Sequence, residues 1–220
     1  MYQEIIEIVV LSLKVSGLAL FFSALVGLPV GVLVGLYRFP VRRLVIALLY
    51  TGMGFPPVVI GLFVYLLLSR NGVIGQLNLP FIPSLFTPEA MVIAQTIIAF
   101  PLVAGLTSAA VMGVSPQLRL QVLSLGATKT QTALTILREA RVGVIAAIVA
   151  GFGSIISEVG AVMLVGGNIE GSTRVMTTAI VLETRKGNFD LAIALGLILI
   201  GITFVTNLAI LRFQGRLVNE

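Results

Sequence analysis

Five long apolar stretches dominate the sequence, and short polar or Pro/Gly-rich segments separate them. A membrane-spanning helix needs about 20 largely apolar residues, and each stretch reaches that length. The stretches cover residues 8–37, 44–68, 90–113, 142–165 and 191–211. The pattern predicts an all-α integral membrane protein with about five transmembrane helices, forming a single transmembrane domain over residues 1–220.

The composition indicates that lipid is the natural environment of these stretches. Hydrophobic residues make up 58% of the chain and charged residues only 10%, and the mean hydropathy is +1.11. A water-soluble globule of 220 residues needs more polar surface than this composition supplies. Glu4 and Glu7 stand where a signal peptide would carry basic residues, so we expect the first stretch to be a retained helix.

The placement of lysines and arginines predicts the orientation in the membrane. With the N-terminus outside, nine basic residues of the connections lie inside and four lie outside. The nine are Arg38, Arg42, Arg43, Arg119, Lys129, Arg138, Arg141, Arg212 and Arg216. The four are Arg70, Arg174, Arg185 and Lys186. Because Lys and Arg are retained on the cytoplasmic side, we expect an outside N-terminus and a cytoplasmic C-terminus.

Little conventional chemistry is open to this chain. It has neither cysteine nor histidine, which excludes disulfides and thiolate metal sites and removes the commonest general base. The formal charge of +5 could suggest nucleic acid, but the basic residues form no aromatic-interleaved patch. Residues 166–173 resemble a phosphate-binding loop, yet Ser172 occupies the lysine position and no strand precedes it. We therefore expect no catalytic site, metal site or cofactor in this chain, and no nucleic-acid partner.

Glycine and proline interrupt the first two stretches. Glycines recur at every fourth position from Gly27 to Gly35, which predicts the close approach of another helix. The second stretch contains a Gly/Pro-rich break that ends at Pro56 and Pro57. Broken backbone at membrane depth is tolerated where it is buried in protein or lines a cavity. A pore-lining segment and a simple structural kink therefore both stay open.

The longest connection on the predicted cytoplasmic side covers residues 114–141. Ser115 followed by Pro116 is typical of a helix start, and the next residues, through Leu125, predict a short amphipathic helix. Gly126 then allows a turn, and Thr128 or Thr130 can cap a second helix. The apolar side of the first helix either meets a protein partner or lies on lipid head groups.

This connection resembles the cytoplasmic signature loop of binding-protein-dependent ABC importer permeases. Gly126 and Ile136 stand at the family's separation, while Leu120, Gln121 and Val122 replace the usual Glu-Ala-Ala. The resemblance implies a type I ABC importer permease fold, in which a short coupling helix docks in a groove of a cytoplasmic ATPase. It assigns that coupling role to Arg119, Leu120, Gln121, Val122, Leu123, Ser124, Leu125, Gly126 and Ala127.

A narrower resemblance lies in residues 157–161 and 165–174, which are similar to the tungstate-type branch of the molybdate, tungstate and sulfate permeases. It implies import of an oxyanion, tungstate or molybdate. The candidate residues of the translocation path or gate are Pro56, Pro57, Glu158, Asn168, Ser172, Thr173 and Arg174. For Arg174, a direct anion ligand and a solvated outer turn stay open. For Glu158, substrate contact competes with a structural role, either an ion pair with Arg174 or a helix cap.

The resemblance also implies the partners. They are a second copy of the chain, two cytoplasmic ATPase subunits that bind ATP and Mg, an extracytoplasmic oxyanion-binding protein, and the lipid bilayer. An ABC permease for another small solute is the alternative within the family. A secondary transporter or a channel is the alternative outside it, although the sequence shows no convincing inverted repeat.

Overall fold

The computed structural model describes residues 2–77 and 82–218, and this part of the chain is helical without strands. The helices are α1 (Tyr2–Leu36), α2 (Arg42–Met53), α3 (Pro57–Leu68), α4 (Pro88–Met112), α5 (Pro116–Ser124), α6 (Lys129–Glu139), α7 (Arg141–Ile156), α8 (Gly160–Gly166), α9 (Met176–Lys186) and α10 (Phe189–Val218). A short 3-10 turn, Gly75–Leu77, follows α3. The predicted all-α class is confirmed.

Within the described residues, three helices are long and apolar enough to cross a membrane by themselves: α1, α4 and α10. Two pairs of consecutive helices, each with a sharp bend between its members, are also long and apolar enough when each pair is taken as one span. The chain bends by 99° between α2 and α3, and by 60° between α6 and α7. Counted in this way, the part of the chain that the structure describes has up to five candidate spans by length and composition, which agrees with the predicted number.

The fourth span differs from its predicted course. The sequence predicted one continuous stretch over residues 142–165, but α7 ends at Ile156 and α8 begins at Gly160. The hydroxyl of Ser157 donates to the carbonyls of Gly153 and Ser154, at 2.8 and 3.2 Å. Short polar side chains that bond to nearby backbone compete with helix continuation, so the span breaks at this point.

Helix α4 lies at the centre of the molecule and packs most extensively against α1. Their contact is close because glycine replaces larger side chains on α1. A Cβ at Gly31 would lie 2.5 Å from the carbonyl oxygen of Ala104 and 2.7 Å from Cβ of Thr107. The predicted glycine ladder therefore does bring another helix near, and that helix is α4.

The outward faces of α1 and α10 are apolar and exposed. Phe21 on α1 and Leu197 and Phe204 on α10 are among the large hydrophobic side chains that no other part of the described chain covers. Only 17% of the apolar window of α10 is buried, against 67% of that of α4. Surfaces of this kind suit lipid or another apolar protein surface.

Candidate functional site

The α5–α6 connection has the local chemistry that the sequence indicates. Ser115 caps α5, its hydroxyl accepting from the Gln117 amide at 3.2 Å, and Pro116 is the first helical residue. Gly126 has a φ of +83°, a conformation that favours glycine. Thr128 caps α6 in a reciprocal pair with Gln131, with N–H···O distances of 3.3 and 2.8 Å.

Helix α5 itself is almost free of the rest of the chain. None of its residues is buried, and its main packing partner is α6. Leu118 and Val122 are half-buried on one side, whereas Leu120 lies on nearly the opposite side and is exposed. Leu123 and Leu125 are exposed as well, Leu125 to 86%. The predicted single apolar side is therefore wrong: apolar side chains lie around α5, and three of them, Leu120, Leu123 and Leu125, are exposed.

Helix α6 anchors this connection to the spans. Ile136 is buried in a cluster with Val111 of α4 and with Ala140, next to the start of α7. Thr132 is buried on the same side of α6. Helix α6 is thus packed against α4 and the start of α7, and Gly126 joins it to α5.

The break between α2 and α3 lies at the residues that the sequence indicates. Pro56 precedes the first turn of α3 and Pro57 opens it, so neither proline needs the amide hydrogen that it lacks. Pro56 is exposed and Pro57 is half-buried. Helix α3 then packs against α8, where a Cβ at Gly61 would lie 2.6 Å from Cα of Ala161. The two broken segments of the molecule are therefore neighbours.

Glu158 occupies the gap between α7 and α8 and is half-buried. Its carboxylate accepts from the Ala161 amide at 2.9 Å, in the first turn of α8. Its backbone carbonyl accepts from the hydroxyl of Thr177 on α9 at 2.7 Å. Of the two structural roles considered for Glu158, the structure shows the helix cap. The ion pair with Arg174 is wrong, because Arg174 has other partners.

Arg174 is 9% exposed and pairs with carboxylates from two parts of the chain. Its guanidinium nitrogens lie 3.8 Å from Glu4 of α1 and 3.4 Å from Glu170 of its own loop. The third guanidinium nitrogen, Nε, is buried without a hydrogen-bond partner. The arginine side chain is therefore shielded from solvent and paired with acidic groups. The solvated outer turn considered for it is wrong.

The loop between α8 and α9, residues 167–175, is tightly ordered by its own hydrogen bonds. The Thr173 hydroxyl accepts from the Ile169 amide at 3.0 Å and donates to the carbonyl of Gly166. Asn168 has a φ of +53° and a buried side-chain oxygen without a partner. Ser172, in contrast, is exposed. Of the polar side chains predicted here, Ser172 is accessible and Thr173 is engaged inside the loop.

A cavity of about 670 Å³ lies beside this loop, between it and the start of α1. Its lining combines Glu4, Glu7 and Glu170 with Lys14 and Arg174. Within the described residues, no group of three or more acidic, His or Cys side chains is arranged to hold a metal ion.

Comparison with known proteins identifies the family. Residues 27–219 match the family described as "binding-protein-dependent transport system inner membrane component". The chain belongs to this family. It is 44% identical to the probable anion ABC transporter permease protein of Haloferax volcanii, over 96% of this chain and 91% of that relative. It is 40% identical to the tungstate uptake system permease protein TupB of Peptoclostridium acidaminophilum, over 96% of this chain and 90% of that protein.

A solved structure supports the fold. The MetNI methionine ABC transporter, in inward-facing conformations, contains a chain that superposes with a TM-score of 0.81 at 19% sequence identity. The alignment covers 99% of the present chain and 97% of the other. The predicted type I ABC importer permease fold is thereby confirmed, and the protein is a membrane component of an ABC transport system.

Several polar residues that hold this permease together were not singled out from the sequence. Gln95 of α4 is buried and donates to the carbonyl of Ile155 at 2.9 Å, at the end of α7. Ser12 of α1 accepts from the Met176 amide at 2.8 Å, at the start of α9. Gln95 interrupts an apolar run and could have been noticed for that reason. Ser12 gives no comparable signal, because serine is common in spanning helices.

Proposed function

We propose that this permease moves an oxyanion, tungstate or molybdate, into the cytoplasm as the membrane subunit of an ATP-driven importer. The substrate assignment rests on the similarity, along nearly the whole chain, to permeases named for anion and tungstate uptake. The molybdenum transport system permease ModB of Escherichia coli is 31% identical over 79% of this chain. Molybdate is therefore included beside tungstate.

The proposed coupling element is the segment from Arg119 to Ala127. The exposed Leu120, Leu123 and Leu125 offer apolar contacts to a partner, and Gly126 joins them to the anchored α6. The partner in this proposal is an ATPase subunit, which binds ATP and Mg. In this proposal the present chain supplies the docking helix, and the ATPase subunit binds the nucleotide.

The proposed translocation path passes the two neighbouring breaks, α2–α3 and α7–α8, and the α8–α9 loop. Its candidate residues are Pro56, Pro57, Glu158, Asn168, Ser172, Thr173 and Arg174. The geometry supports two different roles for these residues, contact with the anion and structural support of the path. Ser172 is accessible to an anion, whereas Glu158, Thr173 and Arg174 fix the shape of the loop and of the break.

The proposed assembly contains two copies of this chain, two ATPase subunits and an extracytoplasmic oxyanion-binding protein. Five spans alone enclose little space, and the apolar faces of α1 and α10 leave room for a second copy. Mass measurement of the detergent-solubilised complex should give two permease chains. A fully active complex with one permease chain would contradict the homodimer.

The proposed orientation places the N-terminus and Ser172 outside and the α5–α6 connection inside. The predicted cytoplasmic C-terminus falls on residues 219–220, which lie outside the described residues. Single cysteines at Thr130, Ser172 and Asn219 can be labelled in sealed vesicles, because the chain has no native cysteine. The positions 130 and 219 should react from one face and 172 from the other. Labelling of 130 and 172 from the same face would refute this topology.

Reconstitution tests the proposed function itself. The permease, its ATPase and its binding protein are placed in liposomes with ATP on the ATPase side, and tungstate uptake is measured with molybdate and sulfate as competitors. We expect uptake to require ATP, the ATPase and the binding protein, with molybdate competing. Uptake by the permease alone, driven by an ion gradient or by diffusion, would instead identify a secondary transporter or a channel.

A further inference from the structure

The start of α9 is held by a side chain from a distant part of the sequence. The first amides of a helix have no partner within the helix. At the first residue of α9, Met176, the amide donates to the hydroxyl of Ser12 at 2.8 Å, across a separation of 164 positions. That hydroxyl in turn donates to the carbonyl of Ile8 at 2.7 Å. Ser12 is 4% exposed, so no bulk water replaces it.

Two further contacts join the same regions. We call residues 2–16 of α1 the N-terminal strut. Glu4 of the strut lies 3.8 Å from the guanidinium of Arg174, two residues before α9. Ile8 of the strut packs in one buried cluster with Met176 and Ala179 of α9 and Leu195 of α10. The strut therefore holds the α8–α9 loop at its C-terminal end through a hydrogen bond, an ion pair and apolar contact.

The loop is also held by the α7–α8 break and by the segment that precedes α4. Thr177, next to Met176, donates to the carbonyl of Glu158 in the α7–α8 gap. At the N-terminal end of the loop, the Phe86 amide donates to the carbonyl of Val165 at 2.8 Å. A Cβ at Gly167 would lie 2.7 Å from the ring of Phe86. A displacement of α9 away from the strut therefore pulls directly on the residue that caps α8.

We propose that Ser12 is a positioning residue for transport. By fixing the start of α9, it holds the α8–α9 loop and the α7–α8 break in their present arrangement, so that this side of the path opens only in step with the ATPase. The inference rests on the proposed function for the identity of the path. The family match begins at residue 27, so the strut lies outside the matched residues.

Removing the hydroxyl should loosen the loop. In Ser12→Ala the buried amide of Met176 has no partner, which favours arrangements in which α9 has moved away and the amide is hydrated. Ser12→Thr keeps the hydroxyl, and a helical threonine can still donate to the carbonyl four residues earlier. Ser16→Ala is the matched control, since Ser16 lies one turn further along α1 and is 2% exposed.

A thiol reporter measures this opening without transport. Val175 precedes α9 and is 5% exposed, so Val175→Cys places a buried thiol at the loop in an otherwise cysteine-free chain. The rate of its reaction with a polar maleimide is measured in nanodiscs, where both faces are accessible. We expect about a tenfold faster reaction with Ser12→Ala, equivalent to roughly 1.4 kcal/mol. We expect the original rate with Ser12→Thr and with Ser16→Ala.

The second measurement is the ratio of tungstate uptake to ATP hydrolysis in the reconstituted importer. Ser12→Ala should lower the number of tungstate ions taken up per ATP hydrolysed, and Ser12→Thr should restore it. An unchanged maleimide rate in Ser12→Ala would overturn the inference, as would an equal rise in Ser16→Ala. So would a faster rate with unchanged uptake per ATP. If the unmodified importer shows no ATP-driven uptake, the proposed function fails, whereas the maleimide rates still report on the strut.

Discussion

Single glycines set how closely the central helices approach each other. The repeat from Gly27 to Gly35 was recognisable in the sequence because its spacing places small residues on one face of a helix. The partner helix was not recognisable, because any apolar span could have filled that face. The structure shows that it is α4, with Thr107 and Ala104 against Gly31.

Gly31→Ala should therefore destabilise the permease, whereas Gly17→Ala should not. A Cβ at Gly31 would lie 2.5 Å from a backbone oxygen, and overpacking of this kind costs about 1–3 kcal/mol. Gly17 is on the same helix with nothing within 4 Å of a Cβ, so it is a matched control. Thermal unfolding in detergent should show a lower midpoint for Gly31→Ala only. Equal midpoints for the two variants would contradict the packing described.

Glu183 illustrates a residue whose role depends on contacts made by the fold. A hydrogen bond from Lys186 at 2.8 Å, and a second from Asn188 at 2.9 Å, lower the pKa of its carboxyl below the ordinary value. A lowered pKa in the folded state contributes stability above the unfolded-state pKa, and this contribution is lost as pH falls through the folded-state value.

Glu183→Gln should accordingly lower the unfolding midpoint at pH 7, and the difference from the unmodified protein should shrink as pH falls below about 4.5. Lys186→Met should weaken the same pH dependence, because the largest cause of the lowered pKa is removed. Thermal unfolding at a series of pH values measures both effects. This role would be refuted if the unfolding midpoints of Glu183→Gln and the unmodified protein differed by the same amount down to the lowest pH at which both still fold.

At the scale of the elements, local chemistry at helix ends predicted the boundaries around the α5–α6 connection, whereas boundaries that involve tertiary contacts were not predicted. Ser115, Gly126 and Thr128 act as the sequence indicates, because caps and left-handed turns depend on neighbouring residues. The end of α7 was not predicted; besides the local hydrogen bonds of Ser157, it involves the buried Gln95 of α4, which donates to the carbonyl of Ile155. Helix α9 was missed because its polar sequence is typical of a connection, and its start depends on Ser12.

Gly126→Val tests the element that joins α5 to α6. There is open space around this glycine, so the expected defect comes from the φ of +83° alone. A β-branched residue there costs on the order of 1–3 kcal/mol, which should tilt α5 and reduce transport and stimulated ATP hydrolysis at least five-fold. Gly126→Asn is the control, since asparagine tolerates this conformation better. Normal activity of Gly126→Val in reconstituted vesicles would remove the coupling role of the turn.

At the scale of the whole molecule, composition was sufficient to predict a membrane protein, and a partial motif was sufficient to predict its family. The predicted number of spans agrees with the structure only when the bent pairs are counted as spans. The order of packing around α4 could not be predicted, because every apolar stretch is equally able to face lipid or protein. The sequence predicted an exposed apolar surface on α5 but not its distribution, since Leu120 lies on nearly the opposite side of the helix from Leu118 and Val122.

The most direct test of the central claim compares ATP hydrolysis with oxyanion uptake when the surface of α5 is altered. Leu120, Leu123 and Leu125 are replaced together by serine, and tungstate uptake and binding-protein-stimulated ATP hydrolysis are measured in the same vesicles. Burial of each leucine on docking contributes roughly 1.5–3 kcal/mol, so their loss should abolish both activities while the permease still inserts and accepts the loaded binding protein. Uptake and stimulated hydrolysis at the unmodified level would contradict the claim that this helix couples the ATPase to transport.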